Sequence, residues 1–166
     1  LFYCEEPFDF HMARTAHYNY AHFSDKVTKE FECSGIDKGM TNVYDVTVKT
    51  ANVQNAGTDM DVYVRIHGIS GGREVSTAFA YIDSEGDDFE RDSKKTYKVT
   101  SPISMDKITK IDVAVATIES DYEEWKLEWI NIDYNNVNYE FYYNQWIYRP
   151  VFFSIITIDC TGESSN

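Results

Sequence analysis

From Val43 onward the chain alternates apolar and polar residues with a period of two, and this pattern restricts its fold more than any other feature. "VYDVTVKT" sets Tyr44, Val46 and Val48 against Asp45, Thr47 and Lys49. Successive side chains of a strand point to opposite faces, so such a run buries one face and wets the other. "VYVRIH" repeats the device, with Val62, Val64 and Ile66 against Tyr63, Arg65 and His67. "GISGGRE" interrupts it with Gly68, Gly71 and Gly72, a hairpin signal, and "VSTAFAY" resumes it through Val75, Thr77, Phe79 and Tyr81. Further short runs cover 97–99, 108–115, 125–134, 139–143 and 151–158. The pattern predicts an all-β fold: a two-sheet antiparallel β-sandwich of about eight strands. Residues 1–41 read as an N-terminal extension, in which Ser24 offers a cap for a short helix through Phe31. The sandwich is expected over 42–148, and 149–166 as a final strand with a frayed tail, "TGESSN". Trp125, Trp129 and Trp146 start or end alternating runs and are expected in the core. The longest apolar run, "VFFSIITI", is the length of a strand and too short to span a membrane as a helix.

Charge narrows the partners. The formal net charge is −13, which excludes nucleic acid, whose phosphates the surface repels. It also disfavours docking on anionic lipid unless a cation bridges the two surfaces. Cations and basic partners are favoured instead. The cysteines are Cys4, Cys33 and Cys160, with no CxxC pair, so neither a zinc knuckle nor a thioredoxin-like site is expected. A Cys4–Cys33 or a Cys33–Cys160 disulfide each leaves one thiol over, and a reduced chain is a third arrangement. The first residue is Leu1, as in a processed secretory precursor or a trimmed chain; a secreted, extracellular protein is the expectation, without support from any N-x-S/T sequon.

Three loops are rich in oxygen donors. "NVQNAGTDMD" carries Asn52, Asn55, Gly57, Thr58, Asp59 and Asp61. In the second, six of the ten residues from Asp83 to Asp92 are acidic, around Gly86. "ATIESDYEEW" adds Glu119, Asp121, Glu123 and Glu124. Crowded carboxylates repel until something neutralises them. Calcium takes six to eight oxygens at about 2.3–2.6 Å from carboxylates, carbonyls and water, and Gly57 and Gly86 supply backbone freedom for turning carbonyls inward. The competing reading is solvated surface on an acidic protein. An EF-hand is excluded, because D-x-[DN]-x-[DN]-G does not occur with its glutamate and helices. His11, His17 and His22 match no zinc spacing. Cys33 with His17 or His22 lacks any surrounding nucleophile signature, and G-x-S-x-G, H-E-x-x-H and phosphate-cradling loops are missing. The chain is therefore read as non-catalytic.

The order "YDVTVKT…NAGTDMDVYVRIHG…GDDFERDSKKTYKV…KITKIDVAV…YEEWKLEWINI…YEFYYNQWI" resembles a PLAT/LH2 domain, the β-sandwich module of lipoxygenases, pancreatic-type lipases, polycystins and clostridial alpha-toxin. The resemblance covers about residues 42–148 and rests on the order and spacing of its pieces. It implies an eight-stranded sandwich mediating membrane or protein contacts, often through calcium. The implied ligands are Asn55, Gly57 and Thr58 from the first loop, Asp83, Gly86 and Asp88, with Ser84 in reserve, from the second, and Asp121 from the third, where Glu123 competes. It further implies loop-tip residues that enter the lipid interface, here Tyr122 and next Met60. In two places the chain departs from the family. Asn55 stands where some calcium-binding members have an acid, and Asp92 at a common glycine position. The expected function is a non-catalytic calcium-binding module that attaches to a membrane surface or a partner protein, with calcium in about the 10⁻⁴–10⁻³ M range of extracellular modules. The alternatives are a calcium-independent acidic docking domain and an accessory fragment of a larger lipid-acting enzyme.

Overall fold

The alternating runs fold as strands in the computed structural model, which describes residues 41–82, 84, 88–116, 123–148 and 153–165. The expected Ser24 helix, the three N-terminal histidines, Cys4, Cys33, Asp83, Gly86, Asp121 and Tyr122 lie outside the described residues. Among the described residues there are ten strands: β1 (Asn42–Thr50), β2 (Asp61–Ser70), β3 (Arg73–Ser76), β4 (Ala80–Tyr81), β5 (Lys94–Ser101), β6 (Lys107–Ala116), β7 (Glu124–Tyr134), β8 (Val137–Tyr148), β9 (Phe153–Asp159) and β10 (Gly162–Ser165). They form two antiparallel sheets. One is ordered β10-β8-β7-β1-β5; the other is ordered β3-β2-β6-β9, with β4 also paired to β2. The architecture is the expected β-sandwich.

The core lies between the sheets, where the apolar half of each alternation meets its counterpart. Tyr44, Val46, Val62, Val64, Ile66, Ile111, Trp125, Leu127, Ile130, Ile132 and Phe141 are each fully or almost fully buried there. Each such side chain contributes roughly 1.5–3 kcal/mol relative to leaving it in water. Two turns follow from local chemistry. Gly71 and Gly72 (φ 55° and 75°) close the β2–β3 hairpin, and Asn135 and Asn136 (φ 51° and 61°) close β7–β8. Two central residues at positive φ match the right-handed strand twist.

Two expectations are corrected. The tail does not fray: β10 pairs with β8 from Gly162↔Glu140 to Ser165↔Val137. Cys160 is half-buried, and its thiol donates to the Gly162 carbonyl at 3.2 Å; its candidate partner Cys33 lies outside the described residues. Only Trp125 of the three tryptophans is in the core; Trp129 and Trp146 are half-buried on the outer face. The register of β7 against β1 slips between Lys49↔Trp129 and Thr50↔Leu127, so Glu128 forms a β-bulge, and an extra residue turns the rest of the strand over. Leu127 and Ile130 then face inward while Trp129 faces out.

Candidate functional site

Strand register brings the three oxygen-rich loops to one pole. β1 ends where β5 begins (Lys49↔Lys94) and beside the start of β7 (Thr50↔Leu127), while Asp61 of β2 opposes Ala116 of β6. The pole therefore receives the loops β1–β2, β4–β5 and β6–β7.

The roots of these loops are tied by one buried hydroxyl. Thr50 Oγ1 accepts a hydrogen bond from Trp125 Nε1 at 3.0 Å and donates one to the Phe89 carbonyl at 3.1 Å. Thr50 and Trp125 are wholly buried. Phe89 has φ 61°, a strained value for a bulky residue. Its ring packs edge-on to Trp125 (5.2 Å) and stacks on Tyr97 (5.7 Å). Core packing thus holds the end of the acidic run in a conformation it would not adopt alone. Backbone bonds reinforce the knot: Ala51 N–H to the Lys126 carbonyl (2.9 Å), Lys126 N–H to the Ala56 carbonyl (3.0 Å) and Asp92 N–H to the Ala51 carbonyl (3.3 Å).

Above the knot the loops touch. A Cβ on Gly57 would stand 3.2 Å from both Arg91 N and Glu90 Cα. Gly57 does not have a positive φ, so its value is close approach rather than the backbone freedom expected of it. Glu123, at the foot of the third loop, accepts hydrogen bonds on Oε1 from Thr58 Oγ1 (3.0 Å) and from the Asp59 N–H. Thr58 is buried, and its Oγ1 also accepts from the Met60 N–H at 3.1 Å. A pocket of about 490 Å³ opens here, lined by Gln54, Asn55, Gly57, Thr58, Asp59, Glu90, Arg91 and Glu123.

Of the expected ligands, Asn55, Gly57 and Thr58 line this pocket, and Asn55 sits at φ 60° in the turn. The Thr58 hydroxyl is already engaged, which leaves its carbonyl as the donor. Asp88 lies elsewhere. Its side chain is only 6 % exposed and pairs with Lys95 Nζ, while accepting from the Ser84 N–H and, at 2.6 Å, the Ser84 hydroxyl. Lys95 therefore supplies part of the neutralisation that the acidic run demands. Among the described residues no three His, Cys, Asp or Glu side chains converge as a metal cluster. The hard oxygens here fit calcium by type: carbonyls and the Asn55 amide line the pocket beside the Glu123 carboxylate. Sequence reasoning weighed Glu123 and passed over Glu90, Arg91 and Thr50. Glu123 had a signal, its place before Trp125, whereas the contact of Glu90 and Arg91 with Gly57 is purely spatial.

Met60 is corrected as a lipid-contact residue. It is 3 % exposed and belongs to the core, because it extends the inward series Met60, Val62, Val64, Ile66. The apolar residue exposed on the first loop is Val53, at 44 %.

A family model described as PLAT/LH2 domain matches residues 44–151. "Phospholipase C" of Clostridium novyi is 33% identical over 107 residues, covering 62% of this chain and 26% of that protein. Human "Lipoxygenase homology domain-containing protein 1" is 28% identical over 114 residues, 68% of this chain and 5% of that protein. The chain thus spans about a quarter of the first of these relatives and a twentieth of the second. Among solved structures, the alpha-toxin of Clostridium absonum superposes with a TM-score of 0.57 at 23% identity, covering 76% of this chain and 34% of that one. A coral 8R-lipoxygenase, described as activated by calcium through a C2-like domain, gives 0.57 at 23%, with coverage of 71% and 17%. At such identity the structural likeness is one of fold.

Proposed function

The chain belongs to the PLAT/LH2 domain family, and from that premise we propose that it is a non-catalytic calcium-binding module that attaches to a membrane surface or a partner protein through its loop pole. The observation that carries this reading is the Glu123 link. One carboxylate of the third loop is held against Thr58 and Asp59 of the first, beside Glu90 and Arg91 of the second. Loops that only needed to stay solvated would gain nothing from drawing like charges together. The calcium activation described for the coral lipoxygenase supports the choice of ion.

Asn55, Gly57 and Thr58, through amide or backbone oxygens, with Glu123 beside them, would hold the ion. Asp83, Gly86 and Asp121 complete the proposed set. Bound calcium supplies positive charge at an acidic pole and a bridge to anionic headgroups. The chain's own residues do the rest. Thr50, Trp125 and Phe89 fix the loop roots, Arg91 offsets part of the carboxylate charge, and Val53 and Tyr122 present apolar surface to the interface. A few such side chains give weak, reversible attachment. A secreted setting and a role as the accessory domain of a larger lipid-acting protein are consistent with the phospholipase C relatives and are proposed with it.

The test is calcium-dependent melting. Calcium at a hundred times its dissociation constant should add about 2.7 kcal/mol, and Glu123→Gln should shrink that gain. A second reading, calcium-independent docking of a basic partner, draws on Lys95 already neutralising Asp88. It takes precedence if millimolar calcium leaves the melting curve unmoved.

A further inference from the structure

The outer face of the β10-β8-β7-β1-β5 sheet changes character along its length. Far from the loop pole it is polar and acidic: Asp45 opposes Asp133 and Lys98, and Thr47 bonds Thr96 while opposing Asn131. Toward the loop pole one rung runs Lys94–Lys49–Trp129–Tyr142 across four adjacent strands. At about 4.8 Å between strands these side chains form a continuous band. The next rungs pair Lys126 with Trp146 and Glu124 with Tyr148. Tyr142 and Tyr148 are 57 % and 59 % exposed. The ammonium groups lie against the indoles, Lys94 Nζ 5.4 Å from the Trp129 ring centre and Lys126 Nζ 5.8 Å from that of Trp146.

We propose that this Lys–Trp–Tyr band is a second membrane-contact surface, which lies flat on the phosphate layer of a phospholipid bilayer. The inference rests on the membrane part of the function proposed above and is independent of its calcium part. Chemistry selects the occupant. Indole and phenol rings partition to the headgroup level because one side is apolar and one edge polar. Lysines lay their methylene stems along such rings and carry the ammonium to the phosphates. Local charge agrees: Lys49 takes up Asp92, whereas among the described residues no carboxylate pairs with Lys94 or Lys126. Two cations on four aromatic rings, on a chain of net charge −13, form a local exception to the repulsion that the rest of the surface exerts on anionic lipid. Lys126 also exchanges backbone hydrogen bonds with Ala51 and Ala56, on either side of Val53, so the band and the first loop tip reach the same end of the sandwich.

Vesicle sedimentation tests the proposal on the whole chain, with phosphatidylcholine–phosphatidylserine vesicles and pure phosphatidylcholine vesicles, each in calcium and in chelator. Lys94→Glu with Lys126→Glu should lower binding to the serine-containing vesicles about fivefold or more per charge reversed, in calcium and in chelator alike. Tyr142→Ser with Tyr148→Ser should weaken binding to both vesicle types. Both pairs sit on exposed or half-exposed positions, and an unchanged calcium-induced melting shift shows that fold and loop site are intact. Face variants that bind as well as the parent chain overturn the proposal even if calcium binding stands, and so does a parent chain that sediments with neither vesicle type. Loss of binding in variants of a protein with no calcium shift upholds the face and removes the calcium reading.

Discussion

Two carboxylates in this molecule are equally hidden and differently held. Asp112 is 5 % exposed, in the middle of β6 on the outer face of the second sheet. Arg65 stands opposite it on β2 and Thr157 opposite it on β9. Its Oδ2 accepts from Arg65 Nε (3.0 Å) and Nη2 (2.6 Å) and lies 2.8 Å from His67 Nε2, while Oδ1 accepts from Thr157 Oγ1 (2.7 Å). The Arg65 guanidinium is itself capped by the Phe79 ring at 4.5 Å. Asp88 is 6 % exposed, but it sits in a loop and its counter-charge, Lys95, comes from edge strand β5; Lys95 is 36 % exposed, much as Arg65 is at 35 %. Register on both sides fixes every partner of Asp112. Asp88 has a flexible cation on one side and a serine of its own loop on the other. The first is gripped by neighbouring strands on both sides, whereas the second is held within a loop by an edge-strand lysine.

The largest effect should follow from breaking the rigid cluster. Asp112→Ala leaves Arg65 and His67 facing a vacated site; removing one partner of a buried ion pair typically costs about 3–5 kcal/mol, and because Arg65 is 35 % exposed the loss is discounted to about 2–4 kcal/mol. Urea denaturation would read this directly, and a cost near zero would show that water replaces the carboxylate without strain. Acid should act through the same group. Burial pushes the Asp112 carboxyl up, but hydrogen bonds from Thr157, Arg65 and His67, with the charge of His67, outweigh it and hold the group below its ordinary 3.8. A lowered folded pKa contributes stability that is present above the unfolded value and disappears as pH falls through the folded one. Relative to Asp112→Asn, the parent chain should therefore lose stability below about pH 3.8. Parallel curves would remove the charge from the account.

The contrast between these two carboxylates marks the limit of what the residues alone disclose. Alternation made β1, β2, β6 and most of β7 legible; carried one step further it also puts Met60, two before Val62, inward, where the family resemblance had put it in the lipid interface. Asp92 was legible as a misfit: it occupies a glycine position, and its φ is 64°. What stayed hidden depends on non-local register. Nothing around Glu128 announces a bulge, so Trp129 looked like core. Asp112, between Ile111 and Val113, looked like an ordinary outward polar residue, because Arg65 and Thr157 are 47 and 45 positions away. The convergence of Gly57 on Glu90 is hidden for the same reason. Loop composition reveals that a pole is oxygen-rich but not which oxygens meet.

A middle-sized effect should come from Lys95→Met. Solvent reaches the lysine, so the loss is discounted to about 1–2 kcal/mol. The informative readout is calcium. With its lysine gone, Asp88 loses a positive counter-charge within an acidic loop, and a divalent ion is the natural replacement. The calcium-induced melting shift should exceed that of the parent chain, while Asp112→Asn should leave the shift unchanged. An equal response in Lys95→Met and the parent would put Asp88 in the same structural category as Asp112.

The smallest effect separates burial from pairing. Asp45 and Lys98 stand directly opposite each other on β1 and β5, as Arg65 and Asp112 do on β2 and β6, and their ion pair closes at 2.8 Å. The difference is water: Lys98 is 72 % exposed and Asp45 40 %. Exposed pairs gain little, because solvent already satisfies both charges and ordering two mobile side chains costs entropy. Lys98→Ala should change stability by less than about 0.5 kcal/mol and become indistinguishable from the parent in high salt. If it cost as much as Lys95→Met, cross-strand registry rather than exclusion of water would set the value of these pairs. Asp88 and Asp112 would then differ for a reason other than the one argued from their surroundings.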